Sequence, residues 1–170
     1  YHDAFLICAA HGHVMHTGGG RSDRGENLSS GPLRDSGLAE LWKRICETRR
    51  FALVDFAPYA AAGNRPVLFA GAPLFDAHGA FYGVVAVEVS ARALSAIMQE
   101  RAGMGQTGES YLVGPDKRMR SDSFLDPSGR SIQASFAGTI ASNGVDTRAS
   151  RLALAGTSGE EVVLDYRGQQ

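Results

Sequence analysis

No run in these 170 residues approaches the roughly 18 consecutive apolar positions of a membrane span, and no charged-then-apolar signal segment opens the chain. Charge of one sign is missing as well. Seventeen Lys and Arg face 18 Asp and Glu for a net charge of −1, which removes the electrostatic footprint that nucleic acid or a membrane surface requires. Cysteine is scarce: Cys8 in an apolar run and Cys46 in an amphipathic pattern are either two buried thiols or one bridge. Catalytic signatures are absent. There is no G-x-S-x-G elbow, no H-E-x-x-H, no paired-cysteine motif and no nucleophile beside a base. Ser121 or Ser123 with a distant histidine is the remaining hydrolase option, but MRSDS also reads as the polar end of a strand, so the chain is taken as non-enzymatic. His11 and His13 would share one face of a strand and His16 the other, with no cysteine or carboxylate at ligand spacing, so neither a metal site nor a cofactor is expected.

What is present is a glycine-rich chain of ordinary apolar content, with 21 glycines placed mostly at turn sequences and 44% hydrophobic residues. Ala4–Ala10, a turn at His11-Gly12 and Val14–Thr17 predict a hairpin. Gly18–Ser30 has no apolar period and is expected to be a mobile loop. Asp35 or Ser36 can cap a helix from Leu38 to about Arg49, with Leu38, Leu41, Trp42 and Ile45 on one apolar face. Three strands follow, Phe51–Tyr59, Pro66–Phe75 and Phe81–Ser90, joined by turns at Gly63-Asn64 and Asp76–Gly79. That order suits a PAS-like α+β domain, a single curved sheet with helices on one face. Asp55 and Glu88 interrupt apolar strands, so each needs a partner if it faces inward and only water if it faces outward.

A helix over Ala91–Arg101 leads into Gly103–Ser123, GMGQTGESYLVGPDKRMRSDS. Gly103 to Ser110 has phosphate-loop spacing, but Glu109 stands where the lysine belongs and would repel a phosphate. A phosphate loop also leaves a strand and opens a helix, the reverse of the order here, so the stretch reads as a joint between modules. Beyond it, Tyr111–Val113 and Arg118–Asp122 predict a second hairpin, Val145–Thr147 a cap for a helix over Arg148–Ala155, and Glu160–Tyr166 a strand, an incomplete repeat of the first half. The division expected is 1–102 and 103–170.

The run GMGQTGESYLVGPDKRMRSDS with VDTRASRLALAG and DYRG resembles the membrane-proximal part of double Cache sensor domains, the extracytoplasmic modules of bacterial chemoreceptors, sensor histidine kinases and some cyclases. GPLRDSGLAELW, VDFAPYA and APLFDAHGAFYGVVAVEVS resemble the distal module of the same group. The resemblance implies tandem PAS-like (Cache) modules, each a curved antiparallel sheet with flanking helices, the second truncated. It implies a periplasmic or extracellular small-molecule sensor in an inner-membrane protein, homodimeric when full-length, and monomeric as the excised piece that the start at Tyr1 suggests. A module that senses a periplasmic binding protein is the alternative. Trp42, Asp55, Tyr59, Phe69 and Glu88 would line the distal ligand pocket. Amino-acid-binding members hold the ligand's ammonium with an aspartate near the position of Glu88 and its carboxylate with an arginine among aromatics, a motif without a clear counterpart around Trp42. An amine, an amino acid or an organic acid is the ligand class implied.

Overall fold

A computed structural model describes residues 2–169, which fall into two compact units meeting at Ser90 and Ala91. The division lies upstream of the 102/103 boundary read from the glycine joint, so the helix that follows Ser90 groups with the second unit.

The first unit is a five-stranded antiparallel sheet. Its strands are β1 (Asp3–Cys8), β2 (Val14–Thr17), β3 (Ala52–Tyr59), β4 (Arg65–Phe75) and β5 (Phe81–Val89), in the order β2-β1-β5-β4-β3. The first strand therefore pairs with the last, and one row of the sheet runs Asp3, Glu88, Phe69 while the row two residues on runs Phe5, Ala86, Gly71. Helix α1 (Gly37–Thr48) covers the apolar part of this inner face with Leu38, Leu41, Trp42 and Ile45. Its approach depends on Gly71, where a Cβ would come within 2.9 Å of Leu41 and 3.1 Å of Ile45. Ser36 caps the helix by accepting from the Ala39 N–H, and Arg49, in the left-handed region at φ 56°, ends it. The β3–β4 connection is a 3-10 turn at Ala60–Ala62 completed by Gly63 and Asn64, which both have positive φ and stand where the sequence predicts the turn.

The segment expected to be mobile is packed. Asp23 and Leu28 are fully buried, and the backbone of this segment is paired with the first hairpin: Val14 N–H donates to Glu26 O, Gly25 N–H to Val14 O, and Leu28 N–H to Gly12 O. A stretch with no apolar period is held here by main-chain hydrogen bonds and one buried leucine, neither of which leaves a periodic signal.

The second unit contains α2 (Ala91–Met98), α3 (Ile132–Ala137), α4 (Ile140–Asn143) and α5 (Arg148–Leu154), the last with the Thr147 cap that the sequence predicts. Its predicted sheet does not form among the described residues. The expected hairpin is a single bridge between Val113 and Met119, and Glu160–Tyr166 is not a strand. Side-chain oxygens take over the pairing that neighbouring strands would provide: Leu112 N–H donates to Ser121 Oγ, Met119 N–H to Ser135 Oγ, Asp122 N–H to Ser95 Oγ and Ile132 N–H to Asp122 Oδ1. Helices α3 and α4 were not anticipated, and the expected structural repeat of the first half is absent among the described residues. No helix of the described residues is long and apolar enough to cross a membrane.

Candidate ligand-binding site

The inner face of the first sheet changes character at one end. Beyond the row of Phe5, Ala86 and Gly71, Asp3 on β1 and Glu88 on β5 sit opposite each other in the row that also holds Phe69, and both are buried. An apolar strand that carries a buried carboxylate must supply it with donors, and here both oxygens of Glu88 have one. Arg21 Nη1 reaches Oε2 at 2.6 Å, and Arg65 Nη2 reaches Oε1 at 2.9 Å. Glu88 is 1% exposed, while the side chains of Arg21 and Arg65 are 18% and 40% exposed, so the carboxylate lies beneath its guanidiniums.

Asp3 is satisfied by neutral groups. The Thr17 hydroxyl donates to Oδ2 at 2.9 Å, and the N–H groups of Gly19 and Ala4 each donate to Oδ1 at 2.7 Å. A Cβ at position 19 would lie 2.4 Å from Asp3 Oδ2, so any residue other than glycine there must displace the carboxylate. Burial alone would raise the Asp3 pKa, but these three hydrogen bonds and the Arg21 charge outweigh it and hold it below the ordinary value. Asp23 behaves oppositely. Tyr59 OH donates to its Oδ2 at 3.0 Å, and its Oδ1 is buried with no partner among the described residues. Burial first, and then the charge of Asp3, push the Asp23 pKa up in spite of the Tyr59 hydrogen bond. Burial and the adjacent Asp23 also drive the Tyr59 phenol far above its usual range, so it is a neutral donor. The Tyr59 ring packs edge-on against Phe69 at 5.0 Å, and Phe69 against Phe5 at 5.8 Å, which gives the cluster an aromatic flank.

Of the residues expected to line a pocket, Tyr59, Phe69 and Glu88 meet at this end of the sheet. Trp42 does not join them. Its Nε1 donates to Cys8 O at 3.1 Å and its ring covers Gly12, at the opposite end of β1 from Asp3. At about 3.3 Å per residue that is about 17 Å away. Asp55 is exposed on β3, with Oδ1 accepting from the Phe56 N–H. Asp3, Arg21, Asp23 and Arg65 belong to the cluster and were missed. The available signal was Glu88 itself, a carboxylate inside an apolar strand, and the unassigned arginines before β2's next helix and at the start of β4.

The glycine joint is built around a cation. Arg101 Nε donates to Gly108 O at 2.8 Å and its Nη2 to Gly105 O and Gln106 O, both at 2.9 Å. Carbonyls converging on a guanidinium are the inverse of a phosphate cradle, which presents N–H groups. Glu109 accepts from Ser123 Oγ at 2.7 Å, from the N–H groups of Phe124 and Leu125 at 2.8 and 3.1 Å, and from Tyr166 OH. Ser121 and Ser123 are fully buried and engaged in these structural bonds. A shallow concavity of 890 Å³ runs along α5 and the segment after it, lined by Leu152, Gly156 and Glu161 among others, and it has none of the buried charge of the first unit. Both cysteines are free, Cys46 donating to Ala9 O at 3.6 Å.

No family model and no curated protein matches the chain. Solved structures do. An extracellular ligand-binding receptor from Desulfohalobium retbaense DSM5692 superposes with a TM-score of 0.53 at 15% identity, over 85% of this chain and 25% of that one. The ligand-binding domain of the amino acid chemoreceptor PctC of Pseudomonas aeruginosa PAO1, solved in complex with GABA, superposes with a TM-score of 0.52 at 17% identity, over 86% of this chain and 61% of that one. The chain thus has the α+β fold of these ligand-binding domains, and it spans less than two thirds of the length of either.

Proposed function

We propose that this chain is the sensing part of an extracytoplasmic receptor and binds a small amine, amino acid or organic acid at the charged end of the first sheet, beside Tyr59, Phe69 and Glu88. One observation carries the reading: a fully hydrogen-bonded glutamate, 1% exposed, held under two partly exposed arginines. Buried ion pairs contribute little net stability, because desolvation offsets their attraction, so such a cluster on a sheet face marks recognition better than it marks folding. The fold shared with receptor ligand-binding domains supports the same assignment.

The protein performs no chemistry of its own in this account. Binding shifts the balance between two arrangements, and the shift leaves the distal module, residues 1–102, through α2 and the Gly103–Gly108 joint into residues 103–170. The full-length receptor is anchored in the inner membrane, with this part in the periplasm, and acts as a homodimer. The test is thermal unfolding against amines, amino acids, carboxylates and purines. A ligand that binds only the folded state raises stability by about 2.7 kcal/mol at a hundred times its Kd. A rise with at least one compound, abolished by Glu88→Ala, is expected, and no rise with any compound contradicts direct sensing.

A further inference from the structure

Resting on that reading of the site, we infer that the group recognised is a carboxylate, gripped by Arg21 and Arg65, and that Glu88 is a positioning residue that aims the two guanidiniums rather than an acceptor for a ligand's ammonium.

The acids of the cluster are spent or out of reach. Glu88 gives one oxygen to each arginine and is 1% exposed. Asp3 has donors on both oxygens, all from its own chain. Asp23 turns one oxygen to Tyr59, and the other lies wholly out of solvent. The cations face the other way. Each guanidinium has five N–H donors, and Arg21 and Arg65 each commit one nitrogen to Glu88 while their side chains reach the surface. A solute arriving from water therefore meets a guanidinium layer first. Asp3, Asp23 and Glu88 outnumber the arginines, but Coulomb attraction falls with distance and the nearer layer dominates. The planar fork of arginine matches a carboxylate, and two forks braced on one glutamate are already oriented before binding, which reduces the ordering cost.

Matched probes decide between the two charges. Calorimetric titration of the whole chain with butyrate, glutarate, 4-aminobutyrate and butylamine compares carboxylate alone, two carboxylates, carboxylate with amine, and amine alone. The expected result is binding of butyrate or glutarate, no binding of butylamine, and at least a tenfold loss of affinity in Arg65→Ala, with partial recovery in Arg65→Lys. Arg65→Ala leaves Glu88 Oε1 without its donor and should lower the melting temperature, so folding is verified by an unchanged circular-dichroism spectrum below the transition, and Arg65→Lys, which keeps a cationic donor, separates lost recognition from lost stability. Glu88→Gln should weaken binding while the preference for carboxylate over amine persists. Binding that requires the amine, or that survives Arg65→Ala and Arg21→Ala unchanged, overturns the inference. So does failure of all four probes. In that case a binder found elsewhere in the wider thermal screen leaves the sensing role standing, whereas a blank screen removes both.

Discussion

Tyr59 donates its hydroxyl to Asp23 Oδ2 at 3.0 Å across 36 residues of sequence, and so ties the end of β3 to the segment between β2 and α1. Both residues are buried, and the other oxygen of Asp23 already lacks a partner among the described residues. Tyr59→Phe keeps the ring against Phe69 but removes the side-chain donor to the Asp23 carboxyl. A loss of about 1–3 kcal/mol is expected, read as a lower urea midpoint with an unchanged slope. An unaltered midpoint would show that water replaces the phenol at no cost.

Asp23 also gives stability a pH dependence. Its folded-state pKa is raised above 3.8, so the folded chain holds the proton more tightly, and this contribution is complete below pH 3.8 and lost as pH rises through the folded value. Asn at this position cannot ionise. The melting temperature of Asp23→Asn relative to the parent should therefore climb between about pH 3.8 and neutrality. A flat or falling difference would mean that folding does not raise the Asp23 pKa.

Glu109 has the opposite sign. Burial opposes ionisation there, but the Tyr166 and Ser123 hydroxyls and the N–H groups of Leu125 and Phe124 together lower its pKa below 4.5. Its contribution is present above pH 4.5 and disappears as pH falls through the folded value. Glu109→Gln should lower the melting temperature of the second unit at neutral pH, and the gap should close in acid. A gap that does not narrow as pH falls below 4.5 would make its origin steric.

Gly12→Ala tests the far end of β1. Gly12 has φ +71°, and a Cβ would stand 3.0 Å from the Trp42 ring. The left-handed backbone alone costs about 1–2 kcal/mol. A shift in tryptophan fluorescence should accompany the loss, since Trp42 is the only tryptophan. Ligand affinity should not change, because Trp42 lies away from Glu88; a tenfold change in affinity would place it in the site after all.

Local patterns carried much of the first unit. The spacing of Leu38, Leu41, Trp42 and Ile45 predicted α1, Ser36 its start, and the apolar runs the three later strands. Glu88 was legible as a buried acid only as a choice between facing inward and facing outward, because the sheet's register decides it. Its partners were not legible, since Arg21 lies 67 residues away and Arg65 lies 23 away, and neither position has a period or motif. In the second half the alternation in Glu160–Tyr166 has the composition of a strand, but a strand needs a neighbour, and β propensity without pairing leaves Val162 81% exposed.

The most direct measurement is a ¹H–¹⁵N correlation spectrum, including arginine Nε signals, recorded as the best-binding compound of the screen is added. If the ligand sits on the arginine layer over Glu88, shifts concentrate at Arg21 Nε, Arg65 Nε and the amides of Gly19, Asp23 and Glu88, while the Trp42 indole stays still. Shifts confined to the Trp42 end of the sheet or to the second unit, with Arg21 and Arg65 unmoved, would contradict the account.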